Sequence, residues 1–236
     1  MVAVKNEVIL RDVTIGYRRK VVAQGLSAHI VGGQLTCLVG RNGTGKSTLL
    51  RTIAGFQPPL AGKIVLSIDG REQVLASAGA AGDAPRPLTQ AERARLISVT
   101  LTEKVALQHT TAFQLAAMGR QPYTGFFGRL TAADRAIVRD ALALVGIEAL
   151  ADCDVATLSD GERQKVMIAK ALAQQTPMLL LDEPTAFLDY ESRLDCFRLL
   201  QRLAHDEGRV ILLSTHDLDQ VARFADAQIT LTKGQK

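Results

Sequence analysis

The stretch LVGRNGTGKSTLLRTIAGF, residues 38–56, decides the fold: an apolar segment runs into a loop with three glycines and one lysine, and a helical pattern follows. From Gly40 to Ser47 the loop matches the pattern GxxxxGK[ST]. Glycines allow successive backbone N–H groups to point inward around an anion, and the N-terminal end of a helix adds positive charge there. The stretch therefore predicts a phosphate-binding P-loop; the alternative is a glycine-rich turn needed only for packing.

A P-loop gives each residue type in it a role. Lys46 would place its charge beside the β- and γ-phosphates, and the Ser47 hydroxyl would ligate Mg²⁺. We expect the helix to begin near Gly45 and to end by Gly55. The nucleotide-binding residues predicted in this segment are Gly40, Arg41, Asn42, Gly43, Thr44, Gly45, Lys46, Ser47 and Thr48.

Composition and charge limit the function classes. The 236 residues are 47% apolar and 22% charged, which indicates one large or two small globular domains. No apolar run approaches the roughly 20 residues that cross a bilayer, and the charged N-terminal sequence does not resemble a signal peptide, so we expect a cytoplasmic protein. The net charge of +4 suits an anionic ligand or a membrane-facing surface and is too small to indicate nucleic acid. Cys37, Cys153 and Cys196 form no CxxC pair, and we expect all three to be buried.

The order of the predicted elements indicates an α/β fold with a mostly parallel sheet. Strand patterns fill the first third of the chain, except for an Ala-, Gly- and Pro-rich stretch at 75–88 that we interpret as an exposed insertion. A helical region follows, in which one helix opens with Thr131 and Asp134 as a variant capping box. Strands and helices then alternate again. The single domain thus divides into a core at 1–103 and 158–236 and a helical insertion at 104–157.

A pair of acids follows a second apolar strand pattern, Met178–Asp182. Asp182 and Glu183 come at the carboxyl edge of the predicted sheet, where ligands of α/β proteins bind. Asp182 is in position to hold Mg²⁺ through water, and Glu183 to orient and deprotonate an attacking water. An isolated Asp-Glu-Pro is as often a polar turn after a core strand, so the assignment depends on the P-loop upstream.

The segment LSDGERQ, which begins at Leu158, precedes another helical pattern. Ser159 and Glu162 form a capping box, which is enough to explain both residues. A capped helix N-terminus also attracts phosphate. The segment by itself favours neither interpretation.

Taken in order, these motifs resemble the ATP-binding subunit of ABC transporters over essentially the whole chain. LSDGE stands where that family has its LSGGQ signature, Ala186–Asp189 resembles the D-loop, and Ser214–Asp217 resembles the segment with the switch histidine, here His216. Tyr17 stands at the position whose ring stacks on adenine. The resemblance implies a P-loop NTPase with a RecA-like core, an antiparallel β part near the N-terminus and an inserted helical subdomain, which hydrolyses ATP with Mg²⁺.

The resemblance also implies a head-to-tail homodimer on the cytoplasmic face of the membrane. Each ATP would lie between the P-loop of one protomer and Ser159 and Gly161 of the other, with Asp189 of the D-loop beside it. The catalytic residues would be Lys46, Glu183 and His216.

Two positions depart from the family pattern. Glu103 stands where the family usually has Gln; a carboxylate can still ligate Mg²⁺, but it adds negative charge near ATP. The signature carries Asp160 and Glu162, whose charges must point away from the γ-phosphate. The implied metal ligands are Ser47, Glu103 and Asp182.

The resemblance is narrower for the cargo. GRQPYTGFFGRL and the segments after it resemble those in importers of chelated iron (as a siderophore or haem). Importers of cobalamin are the close alternative. The cargo would be selected by a membrane permease and a periplasmic or surface binding protein, and nucleic acid is not an expected partner. A soluble ABC ATPase with no transport role and a nucleotide-binding module without hydrolysis are the competing classes.

Three aromatic residues lie in this turn-rich segment, Tyr123, Phe126 and Phe127. Aromatic side chains are common anchors of protein interfaces, so they are candidates for contact with the permease. The alternative is that they fill a small satellite core.

Overall fold

The computed structural model of the protein describes residues 6–18, 20–78, 88–101, 109–125 and 127–232. The strands of this part of the chain are β1 Glu7–Tyr17, β2 Lys20–Val31, β3 Leu35–Val39, β4 Ala61–Ile68, β5 Arg71–Ser77, β6 Ile97–Thr100, β7 Met178–Asp182, β8 Val210–Thr215 and β9 Ala227–Thr230. Its α-helices are α1 Lys46–Ile53, α2 Gln90–Ala94, α3 Ala112–Ala117, α4 Ala132–Leu144, α5 Asp160–Ala173, α6 Tyr190–Glu207 and α7 Leu218–Phe224. Short 3₁₀ helices span Met118–Tyr123, Glu148–Leu150 and Val155–Thr157.

Five strands form a parallel sheet in the order β6-β7-β8-β3-β9. Each neighbouring pair is parallel. Every residue of β3, β7 and β8 is buried, because strands that are covered on both faces carry near-continuous apolar runs. The prediction of a mostly parallel sheet is confirmed, and the carboxyl ends of β3, β7 and β8 meet at one edge.

Alternate residues of these strands face two separate apolar cores, as the two-residue period of a strand requires. Leu179 and Leu181 belong to the core that contains side chains of α3, α4, α5 and α6. Met178 and Leu180 belong to the opposite core, which is completed by α1 and the N-terminal sheet. The parallel sheet is therefore the central layer of the molecule.

The N-terminal sheet is antiparallel, with the strand order β2-β1-β4-β5. Asp69 and Gly70 form the turn between β4 and β5, and Asp69 has φ of 50°. The predicted start of the exposed insertion is wrong, because β5 continues to Ser77 and the side chain of Leu75 is buried in the core. Residues 79–87 of that insertion lie outside the described residues.

The capping box predicted for α4 is confirmed. Asp134 N donates to Thr131 Oγ1 at 3.1 Å, and Thr131 N donates to Asp134 Oδ2 at 3.0 Å. Arg120 Nε donates to Asp134 Oδ1 at 2.9 Å, and its Nη1 donates to the carbonyl of Ala173 at the end of α5. Hydrogen bonds from Thr131 and then from Arg120 lower the pKa of Asp134 to about 2. Arg120 thus ties the start of α4 to the end of α5.

The cysteine prediction is confirmed for two residues and wrong for the third. Cys37 and Cys196 are buried, and burial raises the pKa of each thiol to about 12. Cys153 is only half-buried, at the edge of the core that contains α3.

Candidate active site

The P-loop connects β3 to α1 and faces a cleft of about 380 Å³. The described residues that line the cleft are Val22, Asn42, Gly43, Gly45, Lys46, Ser47, Thr48 and Glu183. Arg41 is exposed on the loop, and its carbonyl accepts a hydrogen bond of 2.8 Å from Thr44 Oγ1, which closes the turn. The structure therefore brings most of the predicted loop residues to one cleft, and Glu183 joins them from the end of β7.

The glycines of the loop serve two different needs. A Cβ on Gly40 would lie 2.6 Å from the carbonyl oxygen of Leu231 and 2.7 Å from Thr44 Oγ1, so packing alone requires glycine there. Gly43 has φ of 79°, and a Cβ there would meet nothing within 4 Å. Its conformation, rather than its neighbours, requires glycine. Packing therefore explains the glycine at one position of the loop, and backbone conformation explains it at the other.

The N-terminus of α1 differs from those of the other α-helices in the described residues. Each of α2 to α7 begins with a side chain that accepts a hydrogen bond from a backbone N–H of its first turn. Helix α1 has no side-chain cap and no acid in its first turn. Unpartnered N–H groups at a helix start favour an anion, so a phosphate group fits this end of α1.

Asp182 and Glu183 are positioned by the pairing of β7 with β8. The register places Asp182 beside Ser214, and Ser214 Oγ donates to Asp182 Oδ1 at 2.6 Å. The same hydroxyl accepts from Glu183 N at 3.0 Å. Ser214 was predicted only as part of the histidine segment, and its bridge between Asp182 and Glu183 was missed. The signal available in the sequence was that two apolar strand patterns both end in polar residues.

Glu183, Lys46 and His216 form one polar cluster at the cleft. His216 Nδ1 lies 2.9 Å from Glu183 Oε2. Lys46 Nζ donates to the carbonyl of Gly40 at 2.8 Å and lies 3.4 Å from Glu183 Oε1. That second contact is an ion pair without hydrogen-bond geometry, so Glu183 Oε1 is a buried oxygen with no hydrogen-bond partner among the described residues.

The backbone of Glu183 has φ of 49°. This left-handed conformation costs about 1–3 kcal/mol for a residue other than glycine. The backbone turns sharply after β7, and the carboxylate faces the P-loop. Strain of this kind is concentrated at functional sites.

Tyr17 lies at the end of β1 with about half of its surface exposed, and its hydroxyl accepts a hydrogen bond of 3.4 Å from Thr48 Oγ1. An exposed ring next to the P-loop is available for stacking on a base.

Three predicted site residues lie away from this cleft. Ser159 is the N-cap of α5, with Gly161 in its first turn, and Asp189 is the N-cap of α6. None of them is among the described residues that line the cleft. Hydrogen bonds from Ser192 lower the pKa of Asp189. Glu103 lies outside the described residues.

Arg193 is a residue of this region that the sequence did not single out. Its Nη1 donates to Asp217 Oδ2 at 2.9 Å, and its Nη2 donates to the carbonyl of Leu188 at 3.3 Å. Asp217 follows His216 and caps α7. Arg193 therefore connects the loop after β7 to the loop with the histidine.

A larger cavity, about 690 Å³, lies between α4, α5 and α6. It contacts neither the P-loop nor Glu183. Size alone therefore does not identify the site; the convergence of charged groups does.

A sequence profile described as "ABC transporter" matches residues 23–186, from β2 to just past Glu183. The chain belongs to the ABC transporter family. It is 36% identical over 229 residues to the iron(3+)-hydroxamate import ATP-binding protein of Bacillus subtilis, covering 97% of this chain and 80% of that protein. It is 35% identical over 224 residues to the ferric enterobactin transport ATP-binding protein of Escherichia coli, covering 95% and 78%. It is 37% identical over 214 residues to a cobalamin import ATP-binding protein of Halobacterium salinarum, covering 91% of this chain and 50% of that one.

Solved structures of the family share the fold. A metal-chelate type ABC transporter in an inward-facing conformation matches 97% of this chain and 80% of its own, with a TM-score of 0.78 and 25% identity. A dimeric ABC transporter cassette matches 95% of this chain and 94% of its own, with a TM-score of 0.77 and 25% identity. The P-loop ATPase fold and the ATPase class of the chain follow from these likenesses and the profile.

No helix in the described part of the chain combines the length and the apolar character that crossing a bilayer requires.

Proposed function

We propose that this chain is the ATP-hydrolysing subunit of an ABC importer and that it drives the uptake of chelated iron through a membrane permease. The observation that carries the proposal is the cluster of Lys46, Glu183 and His216 at the open end of an uncapped helix. The Glu183 carboxylate lies within contact distance of both Lys46 and His216, and its buried Oε1 pairs with Lys46 without accepting a hydrogen bond among the described residues. This arrangement suits hydrolysis better than nucleotide binding alone.

In the proposed reaction, the backbone N–H groups of the P-loop and Lys46 bind the phosphates of ATP. The carboxylate of Glu183 accepts the proton of the attacking water. His216 holds that carboxylate through its Nδ1 and contacts the γ-phosphate. Tyr17 stacks on the adenine.

Mg²⁺ would neutralise charge that develops on the phosphates. Ser47, exposed in the cleft, and Asp182, fixed by Ser214, supply oxygen ligands of the kind that Mg²⁺ prefers. Glu103 stays a prediction as a third ligand.

The proposed active form is a head-to-tail homodimer. Ser159 and Gly161 begin a fourteen-residue helix, and Asp189 caps another. Because these residues do not line their own P-loop cleft, they are available to the ATP of a second copy. The carboxylate of Asp160 pairs with Arg163 at 2.8 Å, and that of Glu162 bonds to Ser159. Both acids of the signature thus have partners within their own protomer.

Siderophore iron is the favoured cargo because two of the compared relatives are named for iron chelates. Haem is included as a second iron chelate. A cobalamin importer is the alternative, supported by the relative of that name. For either cargo the subunit binds the cytoplasmic face of the membrane through the permease, and a periplasmic or surface binding protein delivers the cargo.

Glu183→Gln tests the reaction. The amide cannot accept the proton of water, so turnover should fall by about 10²–10⁴-fold while ATP still binds. The protein should then accumulate as an ATP-bound dimer. Phosphate release, ATP binding and size-exclusion chromatography measure the three outcomes. Turnover close to that of the unchanged protein removes Glu183 from the role of base.

Phe127 is the residue proposed to contact the permease. It is 83% exposed, whereas Tyr123 is fixed by the Arg120 guanidinium, 4.1 Å from its ring centroid, and by a 2.9 Å hydrogen bond from its hydroxyl to the carbonyl of Gln174. Tyr123 therefore fits the satellite-core alternative, and Phe126 lies outside the described residues.

Phe127→Ala should weaken co-purification with the permease and leave the ATPase activity of the isolated subunit unchanged. Phe56→Ala is the matched control, because Phe56 is also exposed (61%) and lies after α1. Normal permease association in Phe127→Ala, or an equal loss in Phe56→Ala, contradicts the assignment.

A further inference from the structure

Helix α5, which follows Ser159 of the signature segment, begins with a capping box in which the Ser159 hydroxyl is both a donor and an acceptor. Ser159 N and Ser159 Oγ both donate to Glu162 Oε2, at 2.8 and 2.7 Å. The same hydroxyl accepts a hydrogen bond from Glu162 N at 3.2 Å. A serine hydroxyl can donate one hydrogen bond, and in this chain the acceptor of that bond is Glu162.

Other capping boxes of the chain show the same contact where the third residue is an acid. The Thr89 and Thr131 hydroxyls also donate to the acid three residues later, at 2.8 and 2.7 Å. The box of α3 has Gln114 at that position. Gln114 Oε1 accepts from Thr111 N at 2.9 Å, and Gln114 N donates to Thr111 Oγ1 at 3.1 Å.

The hydroxyl of Thr111 makes no hydrogen bond to the Gln114 side chain within the described residues. In the capping box of α3 the amide therefore completes the cap and leaves the hydroxyl proton available. A carboxylate completes the same cap and also accepts a hydrogen bond from the hydroxyl. Hydrogen bonds from Ser159 lower the pKa of Glu162, so the carboxylate stays charged at neutral pH.

The γ-phosphate of ATP offers only acceptor oxygens to a neighbouring hydroxyl. If Ser159 binds the ATP of the partner protomer, as proposed above, its hydroxyl must first break the hydrogen bond that it donates to Glu162. The Glu162 carboxylate and the γ-phosphate thus compete for the one hydrogen bond that the Ser159 hydroxyl can donate. Both acceptors are charged, and such charge-assisted hydrogen bonds are stronger than those between neutral groups.

We propose that Glu162 restrains formation of the ATP-bound dimer by holding the hydroxyl proton of Ser159. The inference rests on the proposed role of Ser159 in the dimer. The proposed dimer has two such serines, and independent effects at the two sites multiply. A gain of about threefold per site therefore becomes about tenfold in the dimerisation constant.

The test uses the full chain with Glu183→Gln, which prevents hydrolysis. The ATP concentration that gives half-maximal dimer is measured by analytical ultracentrifugation, with and without Glu162→Gln. We expect Glu162→Gln to lower that concentration by about threefold, because each dimer binds two ATP molecules. The melting temperature should fall slightly and should not rise, because the amide keeps the backbone cap as Gln114 does but loses the charged hydrogen bond from the Ser159 hydroxyl.

Three controls separate the role of the Ser159 hydroxyl from a general effect of charge or of capping. Asp160→Asn removes the same charge from the same turn, at a carboxylate paired with Arg163. Glu92→Gln makes the matched change in the capping box of α2. Neither control should lower the ATP requirement. In a chain that also carries Ser159→Ala, Glu162→Gln should have no effect.

The outcomes are distinguishable. If the Glu183→Gln parent forms no ATP-dependent dimer, the proposed dimer fails, and the role of Glu162 fails with it. If the parent dimerises but Glu162→Gln needs as much ATP or more, only the role of Glu162 is overturned. An effect that persists in Ser159→Ala, or that Asp160→Asn reproduces, assigns the restraint to charge and also overturns it.

Discussion

Replacement of Arg193 by alanine should slow turnover more than it weakens ATP binding. Arg193 links Asp217, next to His216, to the carbonyl of Leu188. Without the guanidinium, the loop that orients His216 against Glu183 loses its connection to the loop after β7. Because a misplacement of about 1 Å can cost about 10²-fold in rate, we expect kcat to fall about tenfold and KM for ATP to change less than about twofold.

The expected loss of stability follows from the partial burial of the pair. The side chains of Arg193 and Asp217 are 31% and 21% exposed. The pair is thus less exposed than a surface ion pair, which is worth about 0.2–1 kcal/mol, and more exposed than a fully buried one. With the hydrogen bond to Leu188 included, we expect a loss of about 1.5 kcal/mol. For a domain of this size that lowers Tm by about 3–6 °C.

Arg198→Ala is the matched control on the same helix. Its pair with Asp195 is 51% and 73% exposed, so Tm should fall by less than about 2 °C and turnover should not change. Arg193→Lys keeps the charge but not the planar fork and should lie between the two. A normal kcat in Arg193→Ala makes the residue purely structural. An equal loss in Arg198→Ala refutes the argument from burial.

Two further predictions concern the helical insertion. Gly119→Ala should lower Tm, since its Cβ would overlap the carbonyl oxygen of Lys170 on α5, whereas Gly125→Ala has open space and should leave Tm nearly unchanged. Asp134→Asn should destabilise the protein at pH 7. Because the pKa of Asp134 is lowered to about 2 in the folded state, its contribution is present above about pH 4 and is lost as the pH falls toward about 2. Urea midpoints from pH 7 to pH 3 should therefore converge for the two proteins; a constant difference contradicts this.

Local chemistry explains which parts of the fold the sequence predicts. The P-loop, the α4 capping box and the buried strand before Asp182 each depend on neighbours within a few residues, and all three are present as predicted. The end of β5 was missed because Leu75 stands in an Ala- and Gly-rich stretch whose strand character comes from pairing with β4.

The geometry of the site depends on pairings that no local pattern contains. The order of the parallel strands brings Ser214 beside Asp182, and that neighbourhood creates the contact between His216 and Glu183. Arg193 looks like any exposed helical arginine in the sequence. Its partners are fixed only when β7 and β8 lie side by side.

The position of β3 within the sheet has a consequence for synthesis on the ribosome. Both neighbours of β3, β8 and β9, come from the last part of the sequence shown. About 170 residues separate the end of β3 from the start of β8, so at about 5–20 residues per second they take roughly 10–30 s to translate. During that interval the apolar β3 has neither of its strand partners, and the histidine that completes the cleft has not been made. A nascent chain therefore has an unfinished central strand for longer than most folding steps last, and we expect chaperones to protect it until β8 and β9 emerge.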